Sequence, residues 1–181
     1  MNKMKILLTL GGSNSLKSIN KQLAVYAASL VENTQMVVAD LNDFNLPVYS
    51  VDLQEEKGIP DNAFRFDNLI KEADGIVLSL AENNGLPTVA YKNLLDWVSR
   101  INKKLWRNKP MLLMATSPGE RGGENVLEIM KKLMPFHGGK VVADYTLPLF
   151  FENFSDEGIK DPQKKQELEQ KLKIFKNELG K

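Results

Sequence analysis

The chain has no cysteine among its 181 residues. Disulfides, thiol redox chemistry and thiolate metal sites are therefore excluded, and any redox activity has to come from a bound cofactor. Histidine is almost as scarce, since His137 stands alone and, at the end of a helix, reads as structural rather than as a donor to substrate. Asp40, Asp43 and Glu82 lie at strand ends, but without histidine or cysteine partners they read as solvated or capping groups, not as a metal set. Neither sign of charge dominates: 24 basic residues face 23 acidic ones, for a formal net charge of +1. Nothing electrostatic therefore draws the chain to nucleic acid. No stretch approaches the roughly 20 apolar residues that span a bilayer. Lys3 and Lys5 ahead of Ile6-Leu7-Leu8 resemble the start of a signal peptide, yet the apolar run stops at Gly11-Gly12 and reads as a buried strand. The cytoplasm is the expected compartment. Hydrophobic residues make up 43% and charged residues 26%, enough for one sizeable core and one domain over residues 1–181.

What is present begins with Leu10-Gly-Gly-Ser-Asn-Ser-Leu-Lys-Ser-Ile-Asn20. It follows an apolar run and precedes Ile19, Leu23, Tyr26 and Leu30 at helical spacing, so a strand empties through a glycine and hydroxyl loop into the first turn of a helix. The first N–H groups of a helix lack intrahelical acceptors and carry partial positive charge, which makes such a loop an anion site. The same residues also serve as ordinary turn and capping residues. A P-loop would need Gly-Lys-Ser/Thr, and a dinucleotide fingerprint a third glycine opening the helix; neither occurs. A compact loop with one nearby cation, Lys17, suits a single terminal phosphate, and flavin mononucleotide (FMN) is a common ligand of that form.

Further strands are expected at 35–39, 75–80, 111–115 and 141–143, the last with an extension over 145–150. The run at 35–39 reads as a parallel strand covered on both faces. A long segment with Pro47 and Pro60 leads to a helical pattern at Phe64, Phe66, Leu69 and Ile70. Tyr91, Leu94, Leu95, Val98 and Ile101 give one apolar helix face over 88–102. Trp97 lies off that stripe and either caps the core edge or meets a partner chain. Helices are also expected through Val126, Ile129, Met130 and Leu133, and through Leu168, Leu172, Phe175 and Leu179. Alternation of this kind gives an α/β three-layer sandwich around a five-stranded parallel sheet, for which we expect the order 2-1-3-4-5. Ligands of such sheets bind outside the carboxyl ends of the strands at the switch point between strands one and three. The loops at 11–18, 81–87 and 116–123, all rich in glycine and small or polar residues, meet there.

At these loops the sequence resembles the NADPH-dependent FMN reductase family of flavodoxin-like proteins, which includes quinone, azo-dye and chromate reductases. A Gly-Ser-x-Arg-x-x-Ser-x-Asn loop is matched by Gly12, Ser13, Ser18 and Asn20. Pro-Glu-Tyr-Asn-Gly followed by Lys-Asn-x-x-Asp-Trp is matched by Glu82, Asn84, Gly85, Lys92, Asn93, Asp96 and Trp97. A Ser-x-Gly-x-x-Gly-Gly loop is matched by Ser117, Gly119, Gly122 and Gly123. The resemblance implies that Gly12, Ser13, Ser15, Ser18 and Asn20 hold the FMN phosphate. It implies that Glu82, Asn83, Asn84 and Gly85 on one side, and Thr116, Ser117, Pro118 and Gly119 on the other, flank the isoalloxazine ring. It further implies NADPH or NADH as co-substrate, a small-molecule electron acceptor, and a homodimer built on the helix that holds Asp96 and Trp97.

Two positions depart from the pattern. The family arginine is Ser15, which removes a charge-assisted phosphate contact worth roughly 1.5–3 kcal/mol that Lys17 partly restores. The family tyrosine is Asn83, which removes an aromatic surface beside the flavin. Three functions are therefore compared: an FMN-dependent NAD(P)H oxidoreductase, a flavodoxin-like electron carrier, and a binding module that has lost the cofactor. The near-neutral charge argues against a carrier, which docks basic partners through an acidic surface.

Overall fold

The computed structural model describes residues 4–179; Lys3, half of the basic pair read at the start of the chain, lies outside them. The chain opens with β1 (Lys5–Gly12), α1 (Ile19–Ser29) and β2 (Thr34–Ala39), followed by α2 (Val51–Lys57) and α3 (Asp61–Glu72). The middle of the chain runs through β3 (Gly75–Leu80), two-residue strands β4 (Glu82–Asn83) and β5 (Leu86–Pro87), α4 (Val89–Ile101) and β6 (Pro110–Thr116). It ends with α5 (Glu124–Leu133), β7 (Lys140–Leu147), α6 (Phe150–Asn153), β8 (Phe154–Ser155), β9 (Gly158–Ile159) and α7 (Pro162–Leu179). The five long strands are parallel in the order β2-β1-β3-β6-β7. That is the expected 2-1-3-4-5 once the short hairpin strands are set aside, and the fold is a flavodoxin-like α/β sandwich.

Successive strand residues point to opposite faces, and the core divides accordingly. Leu8, Leu10, Ile76, Leu78 and Leu113 pack with α3, α4 and α5 on one face. Leu7, Val77, Leu112 and Met114 pack with α1 and α7 on the other. β3 and β6 are buried almost throughout, as continuous apolar runs require of central strands. α7 buries Leu168, Leu172, Phe175 and Leu179 as its periodicity predicts.

Four expectations need correction. β2 is an edge strand, and Met36 and Val38 are exposed rather than covered; a two-sided apolar run does not distinguish the centre of a sheet from its rim. Gly11 and Gly12 belong to β1, in register with Ser79 and Leu80 of β3, so the loop proper begins at Ser13. Glycine is needed at position 11 because a Cβ there would lie 2.5 Å from the Lys21 backbone nitrogen of α1. The expected strand at 141–143 and its extension merge into one strand, β7, but that strand stops at Leu147 and Phe150 opens α6; its register against β6 shifts at a bulge between Met111 and Leu112. Phe64, placed on the buried stripe of α3, is exposed, whereas Phe66 and Ile70 are buried. No helix among the described residues is long and apolar enough to cross a membrane.

Candidate functional site

α1 begins at the carboxyl end of β1, where Ser18 is its N-cap and the Ser18 hydroxyl oxygen accepts from the Lys21 N–H at 3.1 Å. The Ser18 O–H proton is left free to donate. The Ser18 N–H donates to the Ser15 carbonyl at 3.1 Å, closing a tight turn before the helix, and the Ser15 N–H donates to Ser13 Oγ at 3.1 Å. Among the described residues the N–H groups of Ile19 and Asn20 donate to no protein acceptor. Ser13 is half-buried, while Ser15 and Lys17 are exposed. The corner is thus a set of hydroxyl and amide donors at the positive end of a helix, with one lysine beside it.

Asn20 has a different place from the one its motif position suggests. It is 2% exposed, and its side chain faces the sheet. Its Nδ2 donates to the Thr116 carbonyl at 3.0 Å, while its Oδ1 accepts from the Thr116 N–H at 3.0 Å and from the Ser79 hydroxyl at 2.7 Å. A single amide therefore ties the start of α1 to the ends of β3 and β6, the strands that carry the other two loops. Thr116 is drawn in further by its own hydroxyl, which donates to the Leu147 carbonyl of β7 at 2.6 Å. Both Asn20 and Thr116 are buried, and they brace the crevice from beneath.

The second loop is a β-hairpin. β4 and β5 pair Glu82 with Pro87 and Asn83 with Leu86, leaving Asn84 and Gly85 as its two-residue turn at φ +53° and +80°. Positive φ at both central positions is a type I′ turn, which Asn-Gly favours. Asn83 and Asn84 are exposed at the tip, and Gly85 is half-buried. The Glu82 carboxylate turns inward and accepts from the Val126 N–H at 3.0 Å, capping the first turn of α5 where the helix dipole favours a negative charge. The third loop is pinned on its far side. The Leu149 and Phe150 N–H groups donate to the carbonyls of Gly119 and Ser117 at 3.0 and 3.1 Å. Ser117 Oγ accepts from the Gly119 N–H at 3.3 Å, and Pro118 and Gly119 are exposed.

The Lys92–Trp97 stretch of α4 acts away from the three loops. Asn93 Oδ1 accepts from the Tyr49 N–H at 2.9 Å, and Asn93 Nδ2 donates to the Pro47 carbonyl at 3.0 Å. One helical turn on, Trp97 Nε1 donates to the same Pro47 carbonyl at 2.7 Å, and its ring packs edge-on against Tyr49. Trp97 is wholly buried. Of the two roles open to it in the sequence it takes the internal one, and it offers nothing to a partner chain. Lys92 and Asp96 form an ion pair one turn apart on the outer side of the helix, 2.6 Å between Nζ and Oδ1.

Two groups that sequence reasoning left out complete the geometry. Thr88, the N-cap of α4, donates through its hydroxyl to the Gly12 carbonyl at 2.8 Å and accepts from the Tyr91 N–H at 3.2 Å. It joins the end of β1 to the helix that follows the hairpin; a Thr after a Pro and before a helical stripe is a readable capping signal. Lys21 is ion-paired with Asp40 at the end of β2. Hydrogen bonding from the Lys21 ammonium, with help from the Asn42 N–H, holds the Asp40 carboxyl below its ordinary range. Glu82 and Asp40 are thus both engaged by protein donors. His137 ends a short 3₁₀ turn and accepts from the Trp106 N–H through its carbonyl at 3.1 Å.

Comparison with known proteins gives the family. The model of the NADPH-dependent FMN reductase family matches residues 4–153. A quinone reductase of Escherichia coli is 30% identical over 135 residues, 72% of this chain and 69% of that protein. A 2-hydroxy-1,4-benzoquinone reductase of a Burkholderia species is 36% identical over 113 residues, 61% of this chain and 60% of its own length. In fold, the chain is similar to a flavoenzyme NAD(P)H:(acceptor) oxidoreductase of Paracoccus denitrificans, with a TM-score of 0.77 at 22% identity over 97% of both chains. With three braced loops at the switch point and a family match across most of its length, the chain belongs to the NADPH-dependent FMN reductase family, flavin enzymes that draw electrons from a nicotinamide.

Proposed function

We propose that this protein is a single-domain FMN-dependent NAD(P)H oxidoreductase over residues 1–181 that passes electrons to a small quinone-type acceptor in the cytoplasm. The observation that carries the reading is the Asn20 brace, which draws the three loops to one point above β1, β3 and β6. The donor set suits FMN. The unbonded N–H groups of Ile19 and Asn20, the hydroxyls of Ser13, Ser15 and Ser18, and the Gly12 backbone would hold a terminal phosphate, with Lys17 standing in for the arginine that Ser15 replaces. Asn83, Asn84 and Gly85 on one side, and Ser117, Pro118 and Gly119 on the other, would flank the ring; Glu82 and Thr116 would set these two walls through α5 and Asn20.

Bound FMN supplies the redox chemistry, accepting hydride from the nicotinamide and giving up electrons to the acceptor. The chain orients the ring, and backbone N–H groups of the loops are its means of holding the negative charge that reduction adds. No acid, base or nucleophile is required of its side chains. Nicotinamide and acceptor would use one open face in turn, so initial rates should give parallel lines in double-reciprocal plots. The decisive measurement is anaerobic reduction of the FMN-loaded protein by NADH and NADPH, followed by reoxidation with a benzoquinone. Bound FMN that neither nucleotide reduces would leave an electron carrier, and protein that retains no FMN would leave a binding module.

The same reading includes a homodimer, supported by an apolar groove of about 430 Å³ along α4 and α5. Val48, Leu86, Val89 and Leu133 line it, and Val48 and Val89 are 76% and 75% exposed. Apolar side chains gathered this way on a surface favour association. Lys92 and Asp96 edge the groove, so the dimer would use the outer side of α4 rather than Trp97.

A further inference from the structure

Beside the braced crevice lies a cleft of about 330 Å³, bounded by Asn14 of the first loop, the segment after β2 and the start of α4. Its volume falls within the ~300–1,000 Å³ of small-molecule sites. Asn14, Asn42 and Asn45 supply its polar lining, Phe44, Ala90 and Leu94 much of its apolar wall, and no ionisable side chain among the described residues lines it. Asn14 and Asn45 make no side-chain hydrogen bond among the described residues, so each amide presents both a donor and an acceptor. Asn42 has its amide donor on Asp40 at 2.8 Å and keeps its carbonyl oxygen. Asn93, the remaining amide of the lining, is fully engaged in holding the 46–49 segment, which fixes that side of the cleft in place.

Unengaged amides between apolar walls, with no charge, select a flat neutral heterocycle whose edge alternates donors and acceptors. A phosphate finds no cation in this cleft, and a quinone has no donors to offer the amide oxygens. We propose that the cleft receives the adenosine end of the nicotinamide dinucleotide. This deepens the oxidoreductase reading and rests on it for the identity of the co-substrate.

The test uses the FMN-loaded protein, with Asn45→Asp, which sets a charge in a neutral cleft at an exposed position, and Ala90→Leu, which narrows it. ADP-ribose should bind the wild type in calorimetry and bind Asn45→Asp about tenfold more weakly, the scale of one lost polar contact. The KM for NADH should rise about tenfold in both variants with kcat unchanged, while the KM for reduced nicotinamide mononucleotide, which lacks the adenosine end, stays at the wild-type value. Unchanged KM for NADH in both variants, absent ADP-ribose binding, or a rise in the KM of the quinone instead would each overturn the assignment. Failure of the wild type to oxidise NADH at all would overturn the enzyme reading instead, and the calorimetry would still decide the cleft.

Discussion

Asn20 carries the most weight of any single side chain. Truncation in Asn20→Ala removes the three hydrogen bonds that the amide makes to the Ser79 hydroxyl and to the Thr116 N–H and carbonyl, all of them buried, at a cost of about 3 kcal/mol. Urea unfolding should report that loss, and FMN should bind more weakly because the loops are no longer held together. A stable variant with unaltered FMN affinity would remove Asn20 from the design. Its motif position was legible in the sequence, but its role was not, because that role depends on the nearness of residues 59 and 96 positions away. The Lys21–Asp40 pair makes a pH-dependent contribution of known sign. Its folded-state carboxyl is lowered from 3.8, so the pair stabilises the protein above that value and ceases to do so as the pH falls through the lower, folded one. Lys21→Met should therefore cost about 1 kcal/mol at neutral pH, the scale of a partly exposed ion pair. The gap from wild type in thermal melts should close as the pH falls below 3.8 and the carboxylate is protonated in both.

At the scale of elements, the strands of the sheet declared themselves by unbroken apolar runs, whereas the hairpin at 82–87 reads only as a loop, although its Asn84-Gly85 dipeptide is a type I′ signal. Edge position was illegible: β2 has the composition of a covered strand, and only the count of strands beyond it decides what its side chains meet. The purpose of the α4 motif was hidden for the same reason. Asn93 and Trp97 serve the 46–49 segment, which contributes no strand or helix of its own and left no periodic trace. Asn93→Ala should release that segment. Hydrogen exchange at the Tyr49 amide should quicken and stability should fall by about 2 kcal/mol, while the sheet amides keep their protection. Equal loss of protection throughout the sheet would mean that the segment and the core unfold as one unit.

For the whole molecule, the groove along α4 and α5 predicts the state of association. Sedimentation at micromolar concentration should show a dimer for the wild type and a monomer for Val89→Glu, which sets an unpaired charge in an apolar contact. A wild type that is monomeric would end the dimer reading and leave the groove open to a small ligand. The Asn20 brace also has a kinetic meaning. Its bonds close chain segments of 59 and 96 residues, and long closures lose entropy before any contact rewards them. α1 can coil within microseconds, yet the crevice cannot exist until β3 has joined β1 and β6 has joined β3. In stopped-flow refolding, quenching of added flavin should lag behind the helical signal, and on the ribosome a chain ending before Thr116 has no means of capturing FMN.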